Sequence, residues 1–104
     1  EIQKQYIVLL NGVADCFEKC AKATKMVFGA SNDDEIQRLT EDVGRFESLC
    51  DDAEDEIIQT IFSNEHSPLE KILQTELAER CSSIADSCEH ATSAVNIINL
   101  KRVL

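Results

Sequence analysis

The sequence predicts an all-α fold, an up-down-up bundle of three long antiparallel helices. The 104 residues hold only three Gly and one Pro, so turn-formers are scarce. Apolar residues recur in steps of three and four over long stretches. Stop and start signals break that pattern twice, once after Gly29 and once before Pro68. A chain of this length suits one domain with a single modest core, spanning residues 1–104. Short connections make neighbouring helices antiparallel, and near-heptad spacing favours shallow left-handed crossings.

The first helix, α1, is expected over residues 2–28. Its stripe is Ile2, Tyr6, Leu9, Val13, Phe17, Cys20, Thr24 and Val27. Gly29 is a natural stop, because glycine accepts the left-handed conformation that often follows a helix end. The second, α2, is expected over 33–63. Ser31, Asn32 and Asp33 are N-cap candidates, and acids suit the first turn. Its stripe is Ile36, Leu39, Val43, Phe46, Cys50, Ala53, Ile57 and Ile61. The third, α3, is expected over 68–103. Ser67 caps it, Pro68 fits the first helical position and Glu70 completes a capping box. Its stripe is Leu69, Leu73, Leu77, Cys81, Ile84, Cys88, Ala91, Val95 and Ile98. Lys101 and Arg102 suit its C-terminus.

Charge narrows the function classes. Ten bases against twenty acids leave a formal net charge of −10. Such a surface repels nucleic acid and anionic lipid and attracts cations or a basic partner. No apolar run reaches the length of a membrane span. The opening EIQKQYIVLL has neither a basic segment nor a small-residue cleavage site, so no signal peptide is expected. Five cysteines form no paired framework and read as reduced, small hydrophobes of a cytosolic protein. Cys16 and Cys20 share a helical face, an arrangement open to a soft metal, but the spacing is not that of a zinc knuckle.

The most pointed feature is the run DDAEDE, with five carboxylates in the six positions 51–56. Like charges three or four apart oppose a helix by about 0.2–0.5 kcal/mol per pair. The run lies too far from the helix start for the dipole to offset that cost. Residues 46–70 contain no Lys or Arg to compensate it. With Ile36 at heptad position a, Asp51 falls at b, Asp55 at f, and Glu47 and Glu54 at e. Asp51 and Asp55 are thus expected on one outer face, with Glu47 one turn before. In an antiparallel pair middles meet, so Asp86, Glu89 and His90 of α3 are expected at the same height. Two readings remain: a solvated acidic face, or a site for a hard cation such as Mg²⁺, Mn²⁺, Ca²⁺ or iron. An internal echo relates VADCFEKCAKA, 13–23, to IADSCEHATSA, 84–94, and sets Asp15 and Asp86 at similar heights of parallel helices.

Several catalytic patterns are missing. There is no Glu-x-x-His of a ferritin-like di-iron core, no glycine-rich phosphate loop and no G-x-S-x-G. No Ser or Cys is marked as activated.

DDAEDEIIQTIF, 51–62, resembles the acidic helix segment of PhoU-like proteins, in the branch described as phosphate transport regulators and formerly of unknown function. Asp51 and Asp55 occupy the two ends of that family's acidic-x-x-x-Asp motif. ELAERCSSIADSCEHATSAVNIINLKR, 76–102, resembles the family's terminal helix through Asp86, Cys88, Glu89 and INLKR. Ser82 stands where the family carries an acid four residues before the Asp. Complete members usually carry two three-helix halves. One half here is the pattern of a fragment, a partly ordered chain or a single-repeat member that pairs with itself.

The resemblance implies a non-enzymatic regulator or accessory protein of phosphate uptake. It would be cytoplasmic, peripheral to the inner membrane through a phosphate transporter or phosphate-sensing kinase. It implies a metal (iron, zinc, manganese or magnesium) on Asp51, Asp55 and Asp86, with Glu47, Glu89 and His90 as further ligands. A homo-oligomer is also expected. The rival reading is a helical oligomerisation module whose acidic face is only solvated surface.

Overall fold

The computed structural model describes residues 1–29 and 32–103, with Val103 as backbone only. Three helices pack into an elongated up-down-up bundle of 56 × 19 × 16 Å: α1 Ile2–Phe28, α2 Asp33–Ser63 and α3 Pro68–Val103. Among the described residues there is no strand. Among the described residues no helix is long and apolar enough to cross a membrane.

The helix ends follow from their chemistry. Asn32 caps α2, its Oδ1 accepting from Glu35 N–H at 3.1 Å. Ser31 lies outside the described residues. Ser67 Oγ accepts from Glu70 N–H at 3.2 Å and caps α3. The expected capping box is only half made, because the Glu70 carboxylate is engaged by Gln74 and His66. Gly29 ends α1, but not in the left-handed conformation expected: its φ is −118°. The reason for glycine is space, since a Cβ there would meet the Lys25 carbonyl at 3.0 Å. Arg102, in the last turn of its own helix as expected, also donates to the Val27 carbonyl at the C-terminus of α1 and lies over the Phe28 ring. At the opposite end Tyr6 Oη donates to the Gln74 carbonyl at 2.7 Å. These two ties hold α1 and α3 parallel.

The core divides into two clusters. One centres on Leu9, Val13, Cys16, Cys50, Ile57 and Ile61, the other on Val27, Ile36, Leu39 and Val95. The α2 stripe is inside as expected, with Phe46 half-buried. In α1, Phe17 is exposed, contrary to expectation, and Cys16 and Ala23 are buried instead. Cys16, Cys50 and Cys88 are buried free thiols and Cys20 and Cys81 half-buried ones. Burial pushes the Cys16 thiol up to about 12, so it packs as a neutral apolar group.

The larger correction concerns α3. Leu69, Leu73, Leu77, Ile84, Ala91 and Ile98 are exposed. The helix turns Ala78, Ser82, Ala85, Cys88, Thr92, Val95 and Asn99 inward. Its apolar arc is wider than one seam, and its small-residue side lets it approach its neighbours closely. The Thr92 hydroxyl is satisfied locally, donating to the Cys88 carbonyl at 2.7 Å.

Candidate metal centre

The antiparallel register of α2 and α3 builds the site. A Cβ added at Gly44 would lie 3.8 Å from Glu89 Oε2. Glu47 and Asp86 come together three residues along. Ser82 Oγ donates to Asp51 Oδ1 at 3.5 Å, and Ser82 also reaches Glu54, which Glu79 approaches. The pairs 44/89, 47/86, 51/82 and 54/79 share one sum, 133, as expected of two straight helices in fixed register. The seam between α2 and α3 is therefore a ladder of carboxylates: Glu89, Glu47, Asp86, Asp51, Glu54 and Glu79.

Ligand atoms of Glu47, Asp51 and Asp86 lie within 4.8 Å of one another. Glu47 is not on the outer face expected for it. It faces α3 and is 9% exposed. Asp51 and Asp86 are exposed at the mouth of the site. Among the described residues the ion pairs are Lys22–Glu35, Arg38–Glu35, Arg45–Asp42, His66–Glu70 and Arg80–Glu76. None engages a carboxylate of the ladder.

The Glu47 carboxyl responds to this surrounding. A hydrogen bond with Asp86 raises its pKa first, then burial, then the hydrogen bond and charge of Asp51 and the charge of Glu89, to about 8. Near neutral pH the group is thus mostly protonated and can donate to a neighbouring carboxylate. Glu54 is raised as well, chiefly by burial.

The expected ligands separate into three groups. Glu47, Asp51 and Asp86 are brought together. Glu89 is half-buried beside them, and its charge reaches Glu47. Asp55 and His90 are exposed and stand outside the three-carboxylate group. The α2 acid run is shared between both sides of the helix. Asp51 and Glu54 turn toward α3, whereas Asp52 and Glu56 line a groove of about 380 Å³ between α1 and α2, with Asp15. Asp15 and Asp86, matched in the internal echo, therefore flank α2 on opposite sides. Gly12 lets α1 come close there, since a Cβ would meet Cys50 Sγ at 2.8 Å.

Ser82 and Glu54 were not expected in the site. The residue-sum register would have found Ser82 opposite Asp51. At the position where the resembled family carries an acid, the hydroxyl offers Asp51 a hydrogen bond instead of another negative charge.

The donor set fits a hard cation. Hard divalent cations take carboxylate oxygens at about 2.0–2.6 Å, so two ligands of one ion lie within about 5 Å of each other. The three carboxylates already satisfy that limit. Glu47 is held by its burial, while exposed Asp51 and Asp86 are open to adjust. The thiols do not join the group. Comparison of the chain with protein-family models, with curated proteins and with solved structures gave no match.

Proposed function

We propose that the chain is a non-enzymatic helical module that binds a hard divalent cation between α2 and α3 and acts through a partner protein. The carrying observation is Glu47, a residue 9% exposed overall, whose carboxyl faces two further carboxylates and makes no ion pair among the described residues. A buried charge is costly unless paired. A cation would displace the Glu47 proton, pair the charge so formed and turn the three carboxyls into ligands. Glu47, Asp51 and Asp86 would hold it, with Glu89 adding negative field. The ion would supply local positive charge at the bundle surface, suited to phosphate or to a partner's carboxylates.

Regulation of phosphate uptake is the process this reading assigns, beside a transporter or a phosphate-sensing kinase in the cytoplasm. That assignment rests on the PhoU-like character of residues 51–62 and 76–102. The rival reading, an oligomerisation module with a solvated acidic face, draws support from the exposed apolar side of α3. Divalent metal separates the two.

The test is thermal unfolding of the purified chain in EDTA and then in excess Mn²⁺, Mg²⁺, Ca²⁺, Fe²⁺ or Zn²⁺. The Glu47→Gln/Asp51→Asn double variant runs alongside. A ligand at one hundred times its dissociation constant adds about 2.7 kcal/mol. For a chain this size that raises Tm by on the order of 10 °C. The wild type should show such a rise with at least one metal, and the double variant none. A flat response to every metal, or an equal response in the variant, overturns the cation reading. Calorimetric titration of inorganic phosphate tests the second step. Heat of binding is expected only for metal-loaded protein, and its absence there defeats the phosphate assignment.

A further inference from the structure

The outer stripe of α3 has a partner-shaped pattern of its own. Leu77, Ile84, Ala91 and Ile98 recur every seven residues, the spacing of a helix-packing seam. Leu77 is 51% exposed and Ile84 48%. The inward side of the same helix carries Ala78, Ser82, Ala85, Thr92 and Asn99. A helix that hides Ser82 and Asn99 while showing Leu77 and Ile84 has a second apolar face.

That face continues onto α1. Cys88 of α3 meets Cys20 of α1, whereas Asp86 and Ser82 meet α2. At 100° per residue, Leu77 and Ile84 lie on the α1 side of α3, just outside Cys81 and Cys88. By the same geometry Leu10 and Phe17, 48% and 63% exposed, lie on the α3 side of α1. The stripe from Leu73 to Ile98 runs about 38 Å at 1.5 Å per residue. Two helices at a usual spacing of 8–10 Å make it roughly 20 Å wide. The area is thus about 750 Å², close to the roughly 800 Å² that each partner buries in a standard stable interface.

We infer that this face seats a second copy of the chain, related by a two-fold axis perpendicular to the bundle. Two observations choose that occupant. The first is charge. Seam positions 77, 80, 84, 87, 91, 94 and 98 hold no carboxylate, in a chain whose net charge is −10. Two copies meeting here keep their acidic α2–α3 seams apart. The second is shape. The α3 stripe is large at its ends, with Leu73 and Leu77 at one and Ile98 at the other, and small between Ile84 and Ile98, at Ser87, Ala91 and Ala94. A two-fold axis at Ile84 lays Leu77 of one copy on Ala91 of the other. Ile84 and Phe17, near the midpoint, then meet their own counterparts.

Sedimentation equilibrium of the full chain in EDTA, over about 1–100 μM, tests this independently of the cation site. The expected mass is twice the 11.6 kDa of one chain. Ile84→Glu sets two carboxylates face to face at the axis and should weaken association at least a hundredfold with helical circular dichroism unchanged. Phe17→Glu should do the same and serves if the first variant unfolds. Leu49→Glu, exposed on the α1–α2 side, should leave the dimer intact. A monomeric wild type assigns the face to another occupant and overturns the inference. So does a dimer that folded Ile84→Glu and Phe17→Glu both preserve.

Discussion

The two sides of α3 run opposite to the usual ordering of inside and outside. Toward α2 the helix closes over Glu47, a residue only 9% exposed. On the outer side of the α1 seam it leaves Ile84 48% exposed. Burying a carboxyl without a counter-charge is unfavourable, and so is leaving a large aliphatic in water. Each side is therefore incomplete as a free-standing surface, and each for a different chemical reason. The acidic seam lacks positive charge and the aliphatic side lacks apolar cover. A cation would repair the first and a second helical surface the second.

The sharpest way to break this comparison is to make the same truncation in two settings. Ile57 is fully buried in α2 and Ile84 is half exposed in α3. Ile57→Ala should destabilise the chain by about 2–5 kcal/mol through lost contacts and a cavity. Ile84→Ala should cost less than about 1 kcal/mol in protein dilute enough to be monomeric, and more as concentration rises. Urea unfolding followed by circular dichroism at two protein concentrations reads both. Equal, concentration-independent losses would show that the outer stripe packs inside the monomer.

The second prediction turns on pH. The Glu47 carboxyl lies near 8 in the folded chain, above its ordinary value of 4.5. Between those limits the folded state holds a proton that the unfolded state has released. Its contribution to stability is complete below about 4.5 and is lost as pH rises through 8. Metal-free protein should thus lose stability across that window, by at most about 1.4 kcal/mol per pH unit for one proton. Glu47→Gln should flatten the slope and leave the chain more stable at pH 8 by about 1–2 kcal/mol. Metal should reverse the trend, because it displaces the proton and binds better as pH rises. An unchanged slope in Glu47→Gln would assign the titration to other groups.

Much of this was legible in the sequence, and the failures have a common cause. All three helices have the expected bounds, because Asn32, Ser67 and Pro68 carry start signals that act locally. The α2 stripe was correct, since that helix has one apolar arc flanked by charge. In α3 the apolar arc is broader than one seam. Periodicity locates such an arc but does not say which edge faces the neighbours. The inward edge, with Ala78, Ser82 and Ala85, is the less hydrophobic one. Glu47 was misplaced for a related reason. A heptad e position reads as outer surface in a two-helix seam, but in a three-helix bundle it turns toward the third helix. The expectation that helix middles meet did bring Asp86 and Glu89 to the acidic part of α2. The meeting point is Glu47 and Asp51 rather than Asp51 and Asp55.

The smallest expected effect separates neighbours within the acid run itself. Asp51 lies in the three-carboxylate group and Asp55, one turn on, does not. Asp55 has Asp51 and Asp52 at helical spacings of four and three, and like-charge pairs of that kind cost about 0.2–0.5 kcal/mol each. Asp55→Asn should therefore stabilise metal-free protein by several tenths of a kcal/mol and leave the metal-induced Tm rise intact. Asp51→Asn relieves a similar repulsion, with Glu47, Glu54 and Asp55 as its neighbours, but should abolish most of the rise. Scanning calorimetry of both variants with and without metal distinguishes them. Equal retention of the metal response would mean that the ion uses neither aspartate. Equal loss would mean that the site follows the outer face of α2 and not the α2–α3 seam. The distinction rests on one turn of helix, because Asp55 sits about 40° further round from the seam than Asp51.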